Sequence, residues 1–286
     1  MEVKTKANTE ANSVDKVKML EDNELILNVI SNFVNSCWFA PQDCLLRSTE
    51  TLIWAKRHFT PPVLDIGTGD GRNSRFMFAY NQKIDVGIDV DFEAQKDAYK
   101  SGVYKKVQVE DASGTSFSDE TFNTVISHST FEHIKKDIIA VKEVARILKN
   151  NGLFYFTVPI PEHQKILKEA GVGENELKKY NKRVKQYRYR SVEEWKNILE
   201  KNNLEVVFQK TYFSKDVHLL WYKLHKIATY KPYRRELWSY LKDSPYGKLF
   251  PSFVVKPLLR KLISSNIQKA YNGEGVWLFT VAKKKV

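Results

Sequence analysis

Three glycines spaced two residues apart, set between a short β-prone run and a helix start, limit what this chain can fold into more than any other feature. Val63-Leu64-Asp65-Ile66 leads into Gly67-Thr68-Gly69-Asp70-Gly71 and then into Arg72-Asn73-Ser74. Glycine is required where a backbone turns sharply, or where a ligand must touch the main chain with no Cβ in the way. The N–H groups of the helix that follows such a turn face the crevice beyond the strand ends. The dinucleotide fingerprint G-x-G-x-x-G would need glycine at position 72, which is Arg72 here, so the spacing argues against a nicotinamide-dependent oxidoreductase.

The pattern on either side of the turn extends the argument. After Pro61-Pro62, β-rich runs at Val63–Ile66, Ile84–Asp89, Lys106–Glu110, Phe122–Ser127 and Gly152–Val158 alternate with helical stretches. The clearest helix runs from Ile134 to Lys149, with Ile138, Val141, Val144, Ala145 and Leu148 on one face. Strand–helix alternation of this kind predicts an α/β fold, a parallel sheet covered on both faces. Upstream, apolar residues at helical spacing between Glu24 and Phe59 predict two helices, broken around Trp38-Phe39-Ala40-Pro41. Downstream, Ser191-Val192-Glu193-Glu194 fits a capping box opening a helix to about Asn203, and Leu204–Phe213 and Val276–Ala282 read as two last strands. Residues 1–22 read as a flexible N-terminus and 23–286 as one domain, with 214–273 a helical insertion before the last strand.

These motifs resemble the class I S-adenosylmethionine-dependent methyltransferases, type 11 branch. The glycine turn preceded by Asp65 has that family's spacing, and Ile84–Asp91 is similar to its second strand, which ends in an acidic residue. Val107-Gln108-Val109-Glu110-Asp111-Ala112 resembles the third strand with its terminal aspartate. Phe117–Ser127 resembles the fourth-strand motif, and Glu132-His133 and Glu143–Gly152 resemble two further signatures of the branch. The match departs at Asn123 and at Asn150-Asn151, turn or strand-start positions where Asn is tolerated.

The resemblance implies a Rossmann-like, seven-stranded, mostly parallel sheet and S-adenosylmethionine as cofactor. Asp65, Gly67, Gly69, Gly71, Asp89, Val90, Asp111 and Ala112 would bind it, Asp89 accepting from the ribose hydroxyls and Asp111 from the adenine amino group. A carboxylate can accept from both hydroxyls of a diol. Asp65 has a second reading, as an acceptor for the N–H groups of the glycine loop. His128, just past the fourth strand, lies on the rim where methyl and acceptor meet in this fold. It is the candidate general base, with a crevice-lining hydrogen-bond role as the alternative. His163 is a second candidate on that rim, and Glu132-His133 reads as an acidic helix start. Trp38, Phe39 and Trp54, with the Lys- and Tyr-rich stretch from Glu162 to Arg190, are candidates to shape the acceptor pocket; ordinary helix packing on the sheet is the alternative, and for Trp54 the favoured one.

Charge bears on the partner. The net charge is +12, and residues 201–286 carry 17 Lys/Arg against 5 Asp/Glu, so the first 200 residues are balanced. The stretch Ser214–Gly273 holds 12 Lys/Arg, 3 Asp/Glu and ten aromatic residues, Trp221 and Trp238 among them. It can be a structural cap with a solvated basic face, a segment lying on an anionic membrane surface, or a tracker of nucleic-acid phosphates, in that order. The acceptor expected is a small molecule, a glycan or a lipid-linked compound. The alternatives are an RNA methyltransferase and a catalytically silent cofactor-binding regulator. Cys37 and Cys44 lack CxxC or Cys/His spacing, which indicates neither disulfide nor metal. With no signal-like apolar segment and no run long enough to span a bilayer, a cytoplasmic protein is expected, at most peripheral to a membrane.

Overall fold

The computed structural model describes residues 23–55, 57–78, 83–243 and 252–286; the expected flexible segment 1–22 lies outside them. Seven strands form one sheet in the order β3-β2-β1-β4-β5-β7-β6. They are β1 (Val63–Ile66), β2 (Ile84–Asp89), β3 (Tyr104–Val109), β4 (Phe122–His128), β5 (Leu148–Pro159), β6 (Leu204–Ser214) and β7 (Gly275–Lys284). The first five run parallel, and β7 is antiparallel to both of its neighbours. Strand order reverses beside β1, whose neighbours are β2 and β4, and a crevice opens beyond the strand ends at such a point.

Alternation along the strands sorts the core into two layers. Leu64, Ile66, Phe154, Phe156 and Leu278 face α5 (Asp137–Ile147) and α8 (Val192–Lys201), packing with Val141, Val144 and Trp195. Val63, Tyr155, Trp277 and Phe279 face the opposite layer, which is built from α1 (Asn23–Cys37), α2 (Pro41–Trp54), α9 (Lys215–Thr229) and α11 (Ser252–Asn272). Three short helices border the turn and the second strand crossover or line the crevice: α3 (Arg72–Met77), α4 (Phe92–Lys100) and α6 (Glu162–Glu169). The remaining two are α7 (Glu174–Arg183) and α10 (Leu237–Asp243).

The predicted helix over 134–149 is shorter at both ends. A 3-10 turn at Phe131–His133 precedes it, and Leu148 already pairs with Phe122, so β5 starts four residues earlier than its apolar run suggests. The capping box is present, Ser191 Oγ accepting from Glu194 N–H and the Glu194 carboxylate from Ser191 N–H. Glu143 and Arg146 are structural: the guanidinium bonds Glu143, and Glu143 accepts from Thr115, which ties α5 to the loop after β3. Cys37 and Cys44 are free thiols with sulfurs 3.2 Å apart.

The insertion is an integral layer of the domain. Val217, Trp221, Ile263 and Ile267 are buried with α1 and α2 in one core. Trp221, 4% exposed, cannot be the interfacial anchor that a basic, aromatic segment suggests, because packing against Trp277 and His163 consumes its surface. No described helix is long and apolar enough to cross a membrane.

Candidate functional site

Two cavities meet at the crevice. The larger, about 610 Å³, is lined by Gly67, Gly69, Asp89, Val90, Asp111 and Ala112, six of the eight residues expected to bind cofactor. Asp89 closes the turn onto the second strand: Oδ2 accepts from Gly69 N–H at 2.8 Å and Oδ1 from Asp91 N–H at 3.0 Å. Asp111 accepts from the N–H and hydroxyl of Ser113, and these bonds lower its pKa. Gly69 has φ +51°, and nothing lies within 4 Å of where its Cβ would be, so bare backbone faces the cavity. A Cβ on Gly67 would fall inside the Thr130 side chain, which explains why this position must be glycine.

Two expected cofactor residues stand elsewhere. Asp65 is 2% exposed and accepts from the Tyr104 hydroxyl at 2.6 Å; it braces β1 against β3 and does not reach the cavity wall. Burial raises its pKa to about 7, against the pull of the Tyr104 bond. Gly71 caps α3 with φ +72°, and a Cβ there would lie 2.8 Å from Ala98 Cα, so this glycine serves the approach of α4 and not the ligand.

His128 also departs from its expected place. It lines neither cavity. Its Nε2 lies 2.9 Å from Glu50 Oε2 and 3.2 Å from Arg47 Nη1, with Trp54 edge-on against the ring. Glu50 is fully buried in α2 and also receives Arg47 at 2.7 Å, Tyr212 OH at 3.2 Å and Ser129 Oγ at 3.4 Å. Burial opposes its charge, yet His128 and the Arg47 guanidinium hold its pKa at about 2. The cluster locks α2 to β4 and β6, and the imidazole expected as a base is one of its struts.

The smaller cavity, about 390 Å³, is walled by the two segments expected to shape an acceptor pocket and by the insertion. Phe39 comes from the start of the domain, Tyr180 and Tyr189 from the stretch after β5, and Trp221 and Trp238 from the insertion. Phe39 and Trp238 stack at 6.3 Å. Trp54 is core, in line with the packing reading, and has no exposed surface. Glu132 and His163 line this cavity too, so the acidic pair expected at a helix start is a cavity wall. Burial raises the Glu132 pKa to about 8, while Glu50, lowered to about 2 by its partners, lies behind the wall and lines neither cavity. The sequence signal for Glu132 is its place after the fourth strand, but its burial comes from distant chain. Among the described residues no group of three or more His, Cys, Asp or Glu could hold a metal.

The strand order, the glycine turn and the acidic strand ends together define the class I methyltransferase fold. Residues 64–156 match the family model described as "Methyltransferase domain", and the rest of the chain lies outside that match. Over 147 residues the chain is 29% identical to the uncharacterised methyltransferase YcgJ of Bacillus subtilis, covering 50% of this chain and 56% of that protein. An uncharacterised protein of Methanocaldococcus jannaschii is 36% identical over 99 residues, 34% of this chain and 36% of its own length. The chain thus spans about half or less of these curated relatives. The fold is similar to that of a Thermotoga maritima S-adenosylmethionine-dependent methyltransferase described as a possible histamine N-methyltransferase (TM-score 0.53, 18% identity, 91% of this chain and 100% of that one). It is also similar to Haemonchus contortus phosphoethanolamine N-methyltransferase 2 in complex with S-adenosylmethionine (TM-score 0.53, 17% identity, 84% and 52%).

S-adenosylmethionine is the methyl donor of this family, and the larger cavity fits it. The open backbone at Gly69 leaves room for a ligand against the main chain, and Asp89 and Asp111 keep free lone pairs for hydroxyl and amino donors. When bound, it supplies a methyl group already activated on a sulfonium.

Proposed function

We propose that the protein transfers a methyl group from S-adenosylmethionine to a small-molecule, glycan or lipid-linked acceptor seated in the smaller cavity. The observation that carries this reading is the junction: Ser129, His133 and Val184 line both cavities, so two ligands would meet there. Methyl transfer needs little beyond alignment of nucleophile, methyl and sulfur with water kept out. The aromatic wall excludes water, and the Glu50 cluster fixes the end of β4 next to the junction. Calorimetry should show binding of S-adenosylmethionine and none of NAD, and tritiated methyl should pass to one of the small-molecule, glycan or lipid fractions of a cell extract. A protein that binds neither S-adenosylmethionine nor S-adenosylhomocysteine overturns the proposal.

A second reading concerns the insertion. Tyr230 and Tyr233 at the end of α9, and Phe253 and Leu258 on α11, are 63–78% exposed, among the exposed cations Lys231, Arg234, Arg235 and Lys261. Aromatic and apolar groups next to cations suit an anionic lipid surface. Vesicles with anionic lipid should retain the protein at low salt and neutral vesicles should not; Tyr233→Ser and Phe253→Ser should weaken retention. Equal retention by both vesicle types, or by neither, removes the membrane.

A further inference from the structure

The wall of the smaller cavity bears on the chemistry of the acceptor as well as its size, an inference that rests on this cavity being the acceptor site. Four of its wall side chains are at least nine-tenths buried and hold a polar atom with no hydrogen-bond partner in the protein. These atoms are Gln42 Oε1, Glu132 Oε2, His163 Nδ1 and Trp221 Nε1. Buried polar atoms are nearly always paired, so four orphans around one void mark places a ligand fills. Only the indole nitrogen must donate. The amide oxygen and the carboxylate accept, and a neutral imidazole nitrogen can do so.

The charges have the same bias. Every arginine on the wall is already matched: Arg47 to Glu50 at 2.7 Å, Arg72 to Asp70 at 3.0 Å and Arg183 to Glu236 at 2.9 Å. Burial lowers the pKa of His163 and His225, so both are neutral near pH 7. Two carboxyls remain. Asp43 makes no side-chain hydrogen bond or ion pair within 4 Å among the described residues, and Glu132 has only His133 at 3.9 Å. Around them stand Phe39, Tyr180, Tyr189, Trp238 and Trp277. Aromatic faces attract cations where they are left open, which those of Trp221, stacked on His218 and His225, are not.

We propose that the acceptor is an amine, bound as its ammonium between the aromatic wall and the Asp43 and Glu132 carboxylates, and that Glu132 is the catalytic base that frees its lone pair. The charge of the bound ammonium draws Glu132, neutral near pH 7 while the cavity is empty, into its ionised form with loss of its proton to water. One ammonium proton then passes to that carboxylate, leaving a neutral amine. The nitrogen pair forms the new bond to the methyl carbon while the carbon–sulfur bond breaks with its pair on sulfur. The product is the methylated ammonium, with S-adenosylhomocysteine as the second product, and Glu132 then returns its proton to water. An ammonium offers up to three N–H donors to the orphaned acceptors, which a carboxylate or phosphate acceptor cannot do.

Three probes that share an indole ring and differ in the head group test this: tryptamine, tryptophol and indole-3-acetate. Each is titrated into the protein saturated with S-adenosylhomocysteine, with saturation-transfer NMR as the readout. Tryptamine should bind at least about tenfold more tightly than tryptophol, and indole-3-acetate more weakly than both. Asp43→Asn and Glu132→Gln should each erase most of that preference while leaving S-adenosylhomocysteine affinity and tryptophol binding unchanged. A preference for the carboxylate, no preference, or no retention of any probe at millimolar concentration overturns the amine assignment. Failure of S-adenosylhomocysteine itself to bind would instead overturn the methyltransferase reading. Rescue of the tryptamine preference by Glu132→Asp, but not by Glu132→Gln, would separate charge from packing.

Discussion

Glu132→Gln should make the protein more stable, and increasingly so as pH rises. Glu132 is 5% exposed, Oε2 has no partner, and burial lifts its pKa from about 4.5 to about 8 in the folded chain. A carboxyl whose folded pKa is raised favours folding while it is protonated in both states. That contribution is complete below about pH 4.5 and is lost as pH rises towards 8, because the unfolded chain sheds the proton first. At about 1.4 kcal/mol per unit, the loss between about pH 5 and about pH 9 is about 4 kcal/mol. Asp65, also raised by burial, contributes in the same direction, so the wild-type curve alone does not isolate Glu132. The difference between wild type and Glu132→Gln does, since glutamine keeps the shape and cannot ionise. Urea unfolding at several pH values, without ligand, should show the variant gaining steadily on the wild type up to about pH 9. Parallel curves, or a variant uniformly less stable, would refute the claim that Glu132 is held uncompensated in the cavity.

Glu50→Ala should cost about 3–5 kcal/mol, since it leaves the buried Arg47 without its anion and Tyr212 without its acceptor; thermal melting within about 1 kcal/mol of wild type would contradict this. In wild type, with a pKa lowered to about 2, the contribution of Glu50 is present above about pH 4.5 and fades as pH falls towards 2, which acid titration of the same variant pair should reproduce. Asp89→Ala should weaken S-adenosylmethionine binding by about 1.5–3 kcal/mol in calorimetry, through loss of a charged acceptor and of the bond to Gly69. Gly67→Ala should abolish measurable cofactor binding or lower stability, because the added methyl displaces Thr130 at the cavity wall.

Local chemistry brings most of the fold into view. The glycine turn, the acidic strand ends and the capping box depend on residues within a few positions of one another, so their spacing alone predicts β1, β2, β3 and the start of α8. The smaller cavity and the buried cluster behind it depend on contacts between residues far apart. Glu50 lies 79 positions from Ser129 and 162 from Tyr212, and nothing beside it in α2 shows that it is fully buried. A hint lies in Ser48-Thr49-Glu50-Thr51 followed by Leu52-Ile53-Trp54, a polar run with no solvent-facing helical stripe beyond it. Trp221 escapes sequence reasoning for a related reason: aromatic and basic residues mixed in sequence describe a surface and a core equally well, and only packing separates them. His128 has the rank after a strand that suits a base, but the direction of its ring is set by Glu50.

The helical insertion that borders the smaller cavity leaves the sheet at Ser214 and returns at Gly275, and these two residues are partners in the β6–β7 ladder. The insertion therefore leaves and rejoins the sheet at a single point, towards the opposite edge of the sheet from Asp89 and Asp111, and packs back on α1 and α2. Substitutions on its cavity side, at Trp238 for example, would redraw what the cavity admits without disturbing a hydrogen bond around the donor, so long as Val217, Ile263 and Ile267 keep their places in the core. In a lineage of such folds, what the two cavities admit can drift as separate traits, and a graft cut at Ser214 and Gly275 has to bring its core partners in α1 and α2 with it.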